Sequence, residues 1–136
     1  MKLQYVTDCA LLIMAYLTGE NRVVSSRELE KMINFPQQSI FTAGRKLKSA
    51  GFVNTVSGPF GGYILAKSPE EITIQDILSA FKDAFCISDS ACANRAATTT
   101  LNNFAKLLSS AEEEVKVRLS TFTLMDLLKD PDSLSS

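Results

Sequence analysis

Histidine is absent from all 136 residues. That removes the commonest general base and a frequent metal ligand, and with them any serine–histidine or cysteine–histidine nucleophile pair. No phosphate-binding glycine loop and no paired carboxylates at helical spacing in an apolar setting stand in for it. The chain is therefore not expected to be an enzyme. Long apolar runs are missing too: none approaches the ~20 residues of a membrane span, so no membrane partner is expected. Residues 9–17 behind Lys2 mimic a signal-peptide core, but Asp8 abuts them and no clear small-x-small cleavage site follows. Cysteines number only three. Without a secretion signal, that usage points to the reducing cytosol and to free or ligating thiols, hence a cytoplasmic protein.

What is present suits one folded domain, or one domain with an appended helix: 46% of residues are hydrophobic and 21% charged. The net charge of −1 is unevenly placed. Residues 22–67 hold seven Lys or Arg against Glu28 and Glu30, a net of +5, whereas residues 1–21 come to −1 and residues 68–136 to −5. A basic segment inside an acidic chain is the footprint of a phosphate-facing surface. A solvated helix face would leave the same charge, so the decision rests on the motif that the segment carries.

Taken in order, the chain reads as mainly helical. Thr7 or Asp8 is placed to cap a helix over residues 9–17 that Gly19 closes; it is apolar nearly all round and should be buried. Residues 22–24 are extended. Ser25-x-x-Glu28 is a capping box opening a helix whose Leu29, Met32 and Ile33 face inward. Asn34-Phe35-Pro36 makes a turn, and Pro36 suits the first turn of the next helix. In that helix Ile40, Ala43, Leu47 and Ala50 recur at three- and four-residue steps, leaving the other face polar and basic. Gly44 is a mild weakness in its middle, and Gly51 stands where a left-handed residue ends a helix. Residues 52–56 and 63–65 read as paired strands around Ser57-Gly58-Pro59-Phe60-Gly61-Gly62. Thr73 caps a helix expected through Phe85, with Ile74, Ile77, Leu78 and Phe81 as its stripe. From Leu101 an apolar seam, interrupted by Arg118, runs through Phe104, Leu108, Ala111, Val115, Phe122 and Met125; a seam this long on an outlying helix needs a partner, a second copy of the chain being the economical one and its own domain the alternative. Thr123 can cap a separate last helix, and residues 131–136 form a disordered tail.

A basic helix followed by a tight hairpin is the arrangement of a winged helix-turn-helix. Leu47-x-x-Ala50-Gly51-Phe52-Val53, then Val56-x-Gly58-Pro59-x-Gly61-Gly62-Tyr63, resembles the signature of the Rrf-two family of bacterial repressors (the IscR, NsrR and CymR type). Met1-Lys2-Leu3, Ala10-Leu11, Glu71-Ile72-Thr73 and Thr123-Leu124-x-Asp126-Leu127 match in order along nearly the whole chain. The Gly-Pro-x-Gly-Gly-Tyr wing is the specific part. The resemblance implies a winged helix-turn-helix DNA-binding domain over residues 1–85, a sensor loop over 86–100 and a dimerisation helix region over 101–130. It also implies a homodimeric repressor on a two-fold double-stranded DNA operator.

On that scheme Gln37, Gln38, Ser39, Thr42, Arg45 and Lys46 face DNA, glutamine being suited to adenine and arginine or lysine to guanine. Lys48 and Arg27 hold phosphates, and Ser57, Gly58 and Gly61 belong to the wing. Ser57 replaces the arginine that many family members carry before Gly-Pro, and Ser39 a tyrosine common on the helix. Family members that sense iron–sulfur status carry three cysteines in the loop after the wing domain. Here Cys86 and Cys92 match two, Thr98–Thr100 occupy the region of the third, and Asp8 matches an N-terminal aspartate that resembles a fourth ligand. Three readings stay open: cysteines that are merely small buried residues, a labile iron–sulfur cluster, and a thiol switch between Cys86 and Cys92. The signal would accordingly be iron–sulfur, redox or nitrosative. No cofactor is firmly expected. The rival function is a winged helix that docks an acidic protein partner rather than DNA.

Overall fold

A computed structural model describes residues 5–81 and 99–129. The elements in order are α1 (Tyr5–Glu20), α2 (Ser26–Ile33), α3 (Gln37–Ser49), β1 (Val53–Val56), β2 (Gly62–Leu65), α4 (Ile74–Ser79) and α5 (Thr99–Leu119). Single 3-10 turns at Pro69–Glu71 and Leu124–Leu128 complete them.

The core is built on α1, whose Cys9, Ala10, Ile13, Met14 and Leu17 are buried against Leu29 of α2 and Ile40, Ala43 and Leu47 of α3. This is the inward stripe of α3 that the residue spacing predicts. Tyr5 and Leu12 of α1 stay exposed, so that helix is apolar nearly all round yet not buried all round. The caps differ from expectation at two places. Helix α1 is already formed at Tyr5, with Thr7 buried inside it rather than capping it. It also runs past Gly19 to Glu20, and Asn21 takes the positive φ, 51°, that ends it.

Ser25 caps α2 as expected, its hydroxyl accepting from the Glu28 amide at 3.1 Å. The reciprocal half of that box is replaced. The Glu28 carboxylate turns instead to Arg22 (2.6 Å) and the Tyr16 hydroxyl (2.6 Å), pinning α2 to α1. Helix α3 ends in a Schellman motif: Gly51 has φ of 84°, its amide donates to Lys48 O, and the Phe52 amide donates to Leu47 O. Phe52 thereby enters the core beside Leu47, and the strand that follows starts in a fixed place.

β1 and β2 pair antiparallel with Val53 opposite Leu65 and Val56 opposite Gly62. Residue Val24 joins this hairpin as a one-residue third strand, exchanging two backbone hydrogen bonds of 2.8 Å with Tyr63. Helix α4 opens on a full capping box between Thr73 and Asp76. It stops at Ser79 rather than continuing to Phe85, and Phe81 drops into the core; residues 82–85 lie outside the described residues. After α5 the chain returns. Thr123 bridges to Thr73, Leu124 donates to Ile72 O (2.8 Å), and its side chain is fully buried in the core. The seam residue Phe122 thus lies on this return segment, beyond the end of α5.

Candidate nucleic-acid interface

Helix α3 lies against the hairpin through one close approach. Gly44 is buried, and a Cβ there would stand 2.7 Å from Cε1 of the Tyr63 ring. The glycine that reads in sequence as a weakness is therefore the seat of the wing. Tyr63 is fixed from its other side by Val24, and burial raises its phenol pKa, with Arg45 drawing it partly back.

Two grooves flank this contact. The larger, about 600 Å³, runs between the start of α2 and the wing and is lined by Ser26, Arg27, Phe41, Gly58, Gly61 and Tyr63. The smaller, about 280 Å³, holds Phe41, Arg45, Lys48, Thr55 and Tyr63 between α3 and β1. Arg27, Arg45 and Lys48 are all exposed, so the structure brings three of the expected cations to the rims of these grooves. Gln38, Thr42 and Arg45 follow one another at four- and three-residue steps along α3; Gln38 and Arg45 are exposed, and the Thr42 hydroxyl donates to Gln38 O at 3.0 Å. Gln37 and Ser39, near the start of α3, are half-buried.

Lys46 is exposed too and lines a further groove with Arg45 and Ala80. Its ammonium lies 5.3 Å from the centroid of the Phe81 ring, toward the end of α4 and away from the wing. Ser57 is exposed in the wing. Two residues that sequence reasoning passed over also belong here. Phe41, 40% exposed, lines both grooves, and Phe60 at the tip of the hairpin is 93% exposed. Phe41 falls one position off the buried stripe of α3, and Phe60 sits in a glycine-rich turn too short to bury it. Both were visible as aromatics with no core to enter.

Of the residues suggested for a cluster, Asp8 is exposed, and its neighbour Cys9 is buried, the two pointing apart as neighbours on a helix must. Burial pushes the Cys9 thiol pKa up to about 11. Among the described residues no three cysteine or carboxylate groups converge on a metal-sized site. Cys86 and Cys92 lie outside the described residues.

A recognition-length helix with a basic outer face, a two-helix lead-in, and a hairpin anchored beside it define a winged helix-turn-helix of the DNA-reading class. Residues 3–130 match the family described as Rrf2, iron-dependent transcriptional regulator, and the chain belongs to that family. A protein of Aquifex aeolicus (strain VF5), provisionally named an HTH-type transcriptional regulator, is 39% identical over 77 residues. Those cover 56% of this chain and 54% of that protein. The HTH-type transcriptional regulator NsrR of Halalkalibacterium halodurans is 28% identical over 142 residues, covering 100% of this chain and 96% of its own. Among solved structures, CymR of B. subtilis, the global cysteine regulator, superposes with a TM-score of 0.71 at 23% identity, over 96% of this chain and 99% of that one. T. potens IscR gives 0.70 at 24% identity, over 100% and 93%. These likenesses establish the fold and favour DNA-binding regulation over a protein-docking module. No helix of the described residues is long and apolar enough to cross a membrane.

Proposed function

We propose that the chain acts as a homodimeric cytoplasmic repressor, without catalytic activity, that reads a two-fold operator through α3 and the wing. The observation that carries this reading is the cationic rim of the two grooves beside α3. A phosphate ridge entering the larger groove meets Arg27 and the first turn of α2 on one wall and backbone of the glycine-rich turn on the other. Gln38 and Arg45 then face the bases of the adjoining major groove, where amide and guanidinium match adenine and guanine edges. Dimerisation supplies the second half-site. In support, no residue of α5 is buried although Phe104, Leu107 and Val117 are large and apolar.

The signal is read in residues 86–100. Two contacts would carry it: Lys46 on the ring of Phe81, the last described residue before that segment, and the Thr73–Thr123 bridge that follows α5. Any cluster is expected to be labile, with Cys86, Cys92 and Asp8 its ligands, and the isolated protein mostly cluster-free and folded. Iron and sulfide in protein purified without oxygen should be well below stoichiometric; near-stoichiometric amounts lost on C86S or C92S would refute this.

The DNA reading is tested by fluorescence anisotropy on a duplex selected by the wild-type protein from a random-sequence pool. Arg45→Ala should weaken binding about tenfold or more, and Lys48→Ala should reduce the slope of log affinity against log salt by about one. Affinity and slope unchanged in both folded variants would defeat it.

A further inference from the structure

From Ser49 to Ala66 the chain carries no charged side chain, so the entire hairpin is uncharged although it stands beside a basic helix. Such a wing cannot bind DNA by neutralising phosphates. Its most prominent side chain is Phe60, 93% exposed. The turn beneath that ring is closed by its own backbone. The Gly61 amide donates to Gly58 O at 3.0 Å, Pro59 fixes the second position, and Gly58 takes φ of 100°. At Gly61 a Cβ would stand 2.0 Å from Val56 O, so the turn is also packed to backbone contact. Phe60 is thus the third residue of a tight turn that holds its ring away from the protein.

The position of this turn relative to α3 sets what it can meet. The hairpin is tied to the side of α3 by Tyr63 on Gly44. When a helix occupies the ≈ 12 Å major groove, an element fixed along its flank lies across the phosphate ridge, and its tip reaches the neighbouring ≈ 6 Å minor groove. We infer that Phe60 is an apolar wedge that enters the minor groove and partly unstacks one base step at the flank of each half-site. Rigid aromatic and aliphatic side chains open base steps in this way, and deformable TA and CA/TG steps yield most readily. Specificity at the flank would then come from deformability, without a hydrogen bond from the wing. This inference rests on the DNA reading above.

The test compares wild type with Phe60→Ala and Phe60→Leu on the duplex selected by the wild-type protein from a random pool. 2-Aminopurine is placed at successive flanking positions. Phe60 is 93% exposed, so both variants should fold, which circular dichroism checks. The wedge requires a rise in 2-aminopurine fluorescence at one flanking step with wild type, retained by Phe60→Leu and lost in Phe60→Ala. It also requires about tenfold weaker binding by Phe60→Ala at an unchanged salt slope. Pools selected by the wild type should be enriched in TA or CA/TG at that step, and pools selected by Phe60→Ala should not. A wild type that selects a duplex while Phe60→Ala binds it equally, or that unstacks no flanking step, overturns the wedge alone. A wild type that selects no duplex overturns the DNA reading with it.

Discussion

A Cβ at Gly44 would stand within 3 Å of Cε1, Cζ and the hydroxyl oxygen of Tyr63, so the tyrosine would have to shift to admit one. In an isolated helix Gly44→Ala would stabilise by up to about 1 kcal/mol. Here overpacking should win and cost roughly 1–3 kcal/mol, because two backbone bonds to Val24 hold the Tyr63 main chain and leave only a shift of the ring to relieve the contact. Thermal unfolding of Gly44→Ala should show a lower Tm, and Tyr63→Val in the same chain should restore part of it. A Tm raised by the alanine would show that the ring moves freely. Cys9 makes a second prediction at this scale. A fully buried thiol with its pKa pushed up to about 11 should resist alkylation at pH 8 until the protein unfolds. Mass mapping of labelled cysteines checks it, and rapid labelling of Cys9 in folded protein would contradict it.

At the scale of elements, the caps say most about what was legible. The Thr73–Asp76 and Thr123–Asp126 boxes, the Asn34 turn and the glycine end of α3 all follow from local chemistry, and the structure has them. Two of the misreadings share a physical cause: a long-range contact took a group that local pattern assigned elsewhere. Glu28 leaves its capping box for Arg22 and Tyr16, and Gly44 answers Tyr63 across the wing. No spacing rule within α2 or α3 contains those partners. Phe41 and Phe60 were missed for another reason, since periodicity finds what is buried and these two are not. The second box carries a pH prediction. Lys129 and then the Thr123 amide hold the Asp126 carboxyl below its ordinary pKa. A depressed carboxylate contributes stability that is present above its unfolded pKa and lost as pH falls through the folded value. Asp126→Asn should therefore lower Tm at pH 7, with the gap to wild type closing as pH falls below about 4. A gap that persists at lower pH would assign the loss to the altered side-chain bonds rather than to the charge.

For the whole molecule, the question is what covers α5. Leu101, Leu108, Ala111 and Val115 are half-buried, Phe104 is 48% exposed, and Leu107, 70% exposed, widens the stripe beside Phe104 and Ala111. Burying each Leu or Phe against a second copy contributes roughly 1.5–3 kcal/mol, so a few of them per chain suffice for a stable pair. The return segment matters to this arrangement. Leu124 is locked in the core of the DNA-binding unit, so α5 cannot swing at its C-terminal end without disturbing Ile72 and Thr73. A dimer joined along α5 would accordingly present its two α3 helices at a fixed separation, which a two-fold operator requires. Leu108→Glu or Val115→Glu should leave each chain folded, because neither side chain enters the core, while driving the protein to monomers in sedimentation velocity. Affinity for the selected two-fold duplex should then fall by about a hundredfold or more, since the second half-site is no longer tethered to the first. Binding to a single half-site should be nearly unchanged. A wild-type protein that sediments as a monomer at micromolar concentration would remove the proposed dimer, and dimeric Leu108→Glu and Val115→Glu would move its interface off α5.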